Sequence, residues 1–174
     1  MYRVLLADDE QIERMALAKR LKRHFCGSLD ISEAVNGAEA LETFKREKSQ
    51  IVVMDISMPE MNGVEAAERI RSLDEDCIII FLTAYDEFSY AKRAIVIRAL
   101  DYLLKPCEED ELVAVMEEAM RLTDKRLSVS GVPSPGVPSP DIRREEHAEA
   151  MPRDDGDGRL AQVAETIREY IRNN

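Results

Sequence analysis

At 174 residues the chain is sized for one ordinary domain plus an appendage, and 45% hydrophobic residues are enough for a core built mainly from Ile, Leu, Val, Ala and Met. The net charge of −11 argues against a dominant nucleic-acid surface, because phosphate backbones are bound by Lys and Arg. Cys26, Cys77 and Cys107 are odd in number, far apart and in no C-x-x-C pairing, which argues against zinc or disulfide frameworks. The first residues lead straight into a strand rather than a signal peptide, and no apolar run approaches the ~20 residues that span a bilayer. A cytoplasmic protein with no membrane contact is expected.

In chain order, strand and helix patterns alternate from residue 3 to about 126. The run Val4–Ala7 is a strand, and Ile12, Met15, Ala16, Leu17 and Leu21 give a helical stripe running to about His24. A short strand over Ile31–Ala34 is followed by an Asn36-Gly37 turn and a helix carrying Ala38, Leu41 and Phe44. The segment Ile51–Asp55 is apolar on both faces, as a central parallel strand requires. Pro59 and Asn62-Gly63 mark a loop before a helix over Gly63–Ser72. The strand Cys77–Leu82 precedes a helical period through Phe88, Ala91, Ala94 and Ile95, and Asp101–Leu104 is the last strand. A final helix from Glu108 buries Leu112, Val115, Met116, Ala119 and Leu122. The pattern predicts an α/β fold of five βα units with helices on both faces of a parallel sheet.

Composition changes after residue 126. Within residues 127–158, positions 131–140 are Gly-Val-Pro-Ser-Pro written twice in tandem and 141–158 are a charged stretch, which together read as a semi-extended, disordered linker. From Arg159 the pattern recovers, with Leu160, Val163, Ala164, Ile167, Tyr170 and Ile171 forming an amphipathic helix over 159–174 that must pack on something.

Four of the apolar runs end on residues suited to phosphate or metal chemistry. They lead into Asp8-Asp9, Asp55, Thr83 and Lys105-Pro106, which a parallel sheet would gather at its carboxyl edge. Three carboxylates in one volume repel one another and suit Mg2+, a hard cation that prefers oxygen ligands. Asp55 then becomes a nucleophile able to form an aspartyl phosphate, with Thr83 and Lys105 supplying a hydroxyl and a positive charge.

The segments Leu-Leu-Ala-Asp-Asp-Glu (5–10), Met-Asp-Ile-Ser-Met-Pro-Glu-Met-Asn-Gly (54–63), Leu-Thr-Ala-Tyr (82–85) and Asp-Tyr-Leu-Leu-Lys-Pro (101–106) resemble the receiver domain of two-component response regulators. The resemblance spans residues 1–126. It implies a flavodoxin-like fold with strand order 2-1-3-4-5, and Asp55 accepting a phosphoryl group from a phosphohistidine on a sensor histidine kinase. It further implies Mg2+ held by Asp8, Asp9, Asp55 and the backbone carbonyl of Ser57, and a cis Lys105–Pro106 bond. Thr83 and Tyr102 are the implied switch residues. Their movement would report phosphorylation to the face made by helix 4, strand 5 and helix 5, a possible homodimer surface. Ser57 and Tyr85 would flank the site and tune water access.

Residues 85–92 and 101–106 look most like receivers fused to AraC-type DNA-binding domains, and 167–174 resemble the opening helix of such a domain. The chain then reads either as a truncated piece of a transcription factor or as a short regulator that lost its output domain, and contact with DNA would need such a domain downstream. Arg98 stands where family members often carry the Gly that closes helix 4. An aspartyl-phosphate hydrolase of the haloacid dehalogenase type would carry an acid two residues after the nucleophile, where this chain has Ser57. A switch rather than an enzyme is therefore expected.

Overall fold

The computed structural model describes residues 1–84 and 88–129. Tyr85, the linker from residue 130 onward and the helix expected over 159–174 lie outside the described residues.

Among the described residues, strands and helices alternate as β1 (Tyr2–Ala7), α1 (Gln11–His24), β2 (Leu29–Ala34), α2 (Gly37–Glu47), β3 (Ile51–Met54), α3 (Gly63–Leu73), β4 (Ile78–Thr83), α4 (Phe88–Ile97), β5 (Asp101–Leu104) and α5 (Glu109–Val129). The sheet order is β2-β1-β3-β4-β5, with every neighbouring pair parallel. This is the expected flavodoxin-like arrangement. β3 (IVVM) and β4 (IIIFLT) are buried along their whole length, because helices cover both of their faces. β2 lies at the edge and is only partly buried.

Strand alternation divides the core in two. Leu5, Val52, Met54, Ile79 and Phe81 point to one face, against Leu41 and Phe44 of α2, Val64 and Ile70 of α3 and Ala94 and Ile97 of α4. Val4, Leu6, Ile51, Val53, Ile78 and Ile80 point to the other, against Leu17 and Leu21 of α1 and Leu112, Val115 and Met116 of α5. Each such side chain contributes about 1.5–3 kcal/mol on burial. Asn36 and Asn62 cap α2 and α3 by accepting hydrogen bonds from the Glu39 and Glu65 amides at 2.8 and 2.9 Å. The Asn36-Gly37 turn is thus also the start of a helix, Gly37 being its first residue.

Three expectations about side-chain direction need correction. Ile12 and Met15 are 83% and 58% exposed, and the buried stripe of α1 is Arg14, Leu17, Ala18 and Leu21. At 3.6 residues per turn, Ile12 lies about 200° around the helix from Arg14, so one face cannot bury both. Among the α4 side chains that are described, Ala94 and Ile97 are buried and Ile95 is partly exposed, while the expected Phe88 and Ala91 side chains lie outside them. α5 continues past residue 126 to Val129, with Leu122 only half-buried.

The close of α4 is a left-handed residue after all. Arg98 has φ +58°, its amide donates to the Ile95 carbonyl, and the Ala99 amide reaches back to Ala94. That is the Schellman pattern normally made by Gly, adopted here by Arg at a cost of about 1–2 kcal/mol. Arg71 of α3 offsets it: Nε donates to Ile97 O at 2.9 Å and Nη2 to Arg98 O at 3.2 Å.

Candidate functional site

The carboxyl ends of β1, β3, β4 and β5 meet at one edge of the sheet, and each delivers a polar residue there. Asp8 and Asp9 follow β1, Asp55 follows β3, Thr83 ends β4 and Lys105 follows β5. Backbone bonds between neighbouring strand ends fix these positions. The Asp55 amide donates to Ala7 O at 2.8 Å, the Asp8 amide to Ala34 O at 3.1 Å, and the Lys105 amide to Thr83 O at 2.8 Å.

Asp8, Asp55 and Thr83 are buried, at 4%, 6% and 0% exposure, while Asp9 is exposed. One carboxylate oxygen from each of Asp8, Asp9 and Asp55 lies within 4.8 Å of the others. Lys105 Nζ spans two of these groups, donating to Asp8 Oδ2 at 2.6 Å and to Asp55 Oδ2 at 3.2 Å. The remaining oxygens are used locally: Asp8 Oδ1 accepts from the Glu10 amide at 2.9 Å, and Asp55 Oδ1 from the Ser57 amide at 3.2 Å. The Lys105–Pro106 peptide is cis.

The loop beyond Asp55 is held by close backbone approach. A Cβ on Gly63 would lie 2.0 Å from the Asp55 carbonyl oxygen, so only Gly can open α3 at this distance. Tyr102 is half-buried on the α4 side of the sheet, its ring tilted 55° to that of Phe81 with centroids 6.4 Å apart.

The response regulator receiver domain model matches residues 4–117. The chain belongs to that family. Receivers are the phosphorylation-controlled part of two-component response regulators, and homologues of this one are named transcriptional regulatory proteins. It is 36% identical to the transcriptional regulatory protein YesN of Bacillus subtilis (strain 168), over 68% of this chain and 32% of that protein. It is 34% identical to the transcriptional regulatory protein HptR of Staphylococcus aureus (strain NCTC 8325), over 75% of this chain and 51% of that protein. The chain therefore spans about a third to a half of the length of these relatives. Among solved structures, the receiver resembles the REC domain of the response regulator AraT from Geobacillus stearothermophilus, with 34% identity and a TM-score of 0.62 over 74% of this chain and 98% of that one. A CheY-like receiver domain protein from Methanospirillum hungatei, at 21% identity and TM-score 0.68, shares the fold.

Electrostatics in the receiver's acidic edge are set by burial against pairing. Burial pushes the Asp8 carboxyl above its usual range, and the Lys105 hydrogen bond, the Glu10 amide and the ammonium charge only partly oppose it. At Lys105 burial acts downward, but Asp8 and Asp55 together prevail and hold the ammonium above its ordinary value. Lys105 therefore remains a cation at neutral pH. Three oxygen donors around one point, with no nitrogen or sulfur among them, fit a hard divalent cation such as Mg2+.

Arg14 was not visible as a site residue in the sequence. Its guanidinium is buried beneath the β1–α1 loop, where Nη1 donates to Asp8 O at 2.6 Å and Nε to Glu33 Oε2 at 2.9 Å. An Arg inside an amphipathic helix gives no local sign of such a partner.

Proposed function

We propose that Asp55 is the phosphoacceptor of this receiver, and that the phosphoryl group comes from a phosphohistidine on a sensor histidine kinase. One Asp55 carboxylate oxygen attacks phosphorus, the P–N bond breaks, and its electron pair returns to the imidazole. The observation that carries this reading is the Lys105 ammonium held between Asp8 and Asp55. It places a fixed positive charge within 3.2 Å of the nucleophilic carboxylate, where the transferred group's charge would need compensation.

Asp8, Asp9, Asp55 and the Ser57 carbonyl would hold Mg2+, which supplies charge neutralisation for an incoming phosphoryl group. Thr83, buried at the end of β4, and Tyr102, against Phe81, would couple the modification to the face of α4, β5 and α5. That face carries exposed Val96, Ile95 and Leu104, which suits a homodimer contact. Incubation with acetyl phosphate and Mg2+ should add one phosphoryl group to the chain, and Asp55→Asn should abolish it. Unchanged labelling of that variant would remove Asp55 from the role.

The receiver works as a switch, and its output is proposed to be an AraC-type DNA-binding domain beginning in residues 159–174, after a linker that starts beyond the end of α5 at Val129 and runs to 158. The naming of YesN and HptR as transcriptional regulatory proteins supports that direction. Reading the gene past codon 174 tests it, since two helix-turn-helix units should follow. A cytoplasmic location is consistent with this role, and no helix among the described residues is long and apolar enough to cross a membrane.

A further inference from the structure

We infer that Arg14 is a positioning residue for the metal-binding carboxylates, acting through the main chain of Asp8. The inference rests on the reading of Asp8 and Asp9 as Mg2+ ligands. Every polar atom of Asp8 is committed: its amide to Ala34 O, Oδ1 to the Glu10 amide, Oδ2 to Lys105, and its carbonyl to Arg14 Nη1 at 2.6 Å. Two of these contacts come from the main chain of β2 and of the loop itself, and the third from the Lys105 side chain after β5. The fourth comes from a side chain of α1, so Arg14 is what joins the helix to the Asp8–Asp9 peptide.

That peptide sets the directions of both carboxylates. Its rotation would carry Asp8 and Asp9 away from Asp55 while leaving the strands untouched. Arg14 is itself held from the far side, its Nε bonded to Glu33 Oε2 at 2.9 Å near the end of edge strand β2. The guanidinium is planar and forked, so it can satisfy a carboxylate and a carbonyl at once, which a Lys ammonium on a flexible stem does poorly. Its side chain is 9% exposed and that of Glu33 40%, so the anchored end is dry and the anchoring end wet.

Groups that orient metal ligands without touching the metal typically affect affinity by about 10–100-fold. Arg14→Ala should weaken Mg2+ binding by about 10-fold, read by isothermal titration with Mg2+ alone on the whole unphosphorylated chain. With acetyl phosphate as donor, the Mg2+ concentration giving half-maximal labelling should rise to match, while the rate at saturating Mg2+ stays near wild type. Arg14→Lys should recover part of the affinity, and Glu33→Gln, which keeps an acceptor for Nε, should remain close to wild type.

Wild-type Mg2+ affinity in both Arg14 variants would overturn the inference. So would a labelling rate in Arg14→Ala that stays low at saturating Mg2+ in a folded protein, because that is general damage rather than positioning. If Arg14→Ala fails to fold, Arg14→Lys decides by the same two readouts. Failure of the wild-type chain to bind Mg2+ would instead strike the ligand assignment itself, and with it this inference.

Discussion

Arg71 ties three parts of the receiver together, and its removal should be measurable in both stability and place. Besides Ile97 and Arg98 at the close of α4, its Nη1 donates to Glu75 O at 2.6 Å, Cys77 O at 2.7 Å and, more weakly, Asp74 O at 3.5 Å. Hydrogen bonds involving a charged partner contribute about 1.5–3 kcal/mol each. The guanidinium is only partly buried, so about 1 kcal/mol is a fair share for each of the three bonds shorter than 3 Å. Arg71→Ala should then cost about 3 kcal/mol, or roughly 10 °C in melting temperature for a domain of this size. Urea unfolding gives the number, provided the slope with denaturant is unchanged. Hydrogen exchange locates it, since the amides of Arg98 and Ala99 should lose protection before those of β3. Arg71→Lys can replace one bond and should recover no more than about 1 kcal/mol. A loss below 1 kcal/mol in the Ala variant, or a Lys variant as stable as wild type, would refute the reasoning.

The same geometry yields further tests. Gly63→Ala drives a Cβ into the Asp55 backbone, and should cost about 3 kcal/mol and slow labelling by acetyl phosphate at saturating Mg2+; a stable, fully active variant would show that the loop yields freely. Burial, then the 2.6 Å bond to Asp124 and its charge, push the Tyr2 phenol up to about 12 from 10.0. The folded state thus holds this proton more tightly, so the associated stability is complete below pH 10 and is lost as pH rises toward 12. Urea midpoints of Tyr2→Phe should fall less than those of wild type across that window, and parallel curves would exclude the coupling. Lys105→Met removes the ammonium that partly offsets the burial of Asp8, whose carboxyl should then rise further. Relative to wild type this variant should gain stability as pH falls through the raised Asp8 titration, and identical pH profiles would count against the pairing.

Much of the architecture could be read from local pattern because its causes are local. β3 and β4 are short apolar runs bounded by turn residues, and their burial on both faces leaves only one sensible placement in a parallel sheet. Asp8, Asp55, Thr83 and Lys105 were legible because each directly follows or ends such a run. The errors arose where a distant partner decides the outcome. Periodicity put Ile12 and Met15 in the core, but the buried face of α1 is that of Leu17, Ala18 and Leu21, and Arg14 can lie on it because Glu33 and the Asp8 carbonyl satisfy its guanidinium. Arg98 looked like an irregularity at the end of α4. The donors that support its left-handed backbone come from Arg71, 27 residues earlier, and no local window contains both.

The acidic edge also has a chronology. Asp8 and Asp55 directly follow β1 and β3, which pair side by side in the middle of the sheet, whereas Lys105 follows the last strand, 50 residues after Asp55 and 97 after Asp8. A ribosome adding about 5–20 residues per second needs roughly 3–10 s to travel from Asp55 to Lys105. During that interval the nascent chain holds the acidic side chains of the pocket and none of its internal counter-charge. Bringing β1 beside β3 is therefore opposed by their own repulsion until the fifth strand arrives, unless a cation from the surroundings stands in. Docking of β5 completes the sheet and brings the Lys105 ammonium to the pocket in one event, so a chain interrupted before residue 105 is both unfinished in fold and without the cation that Asp8 and Asp55 share.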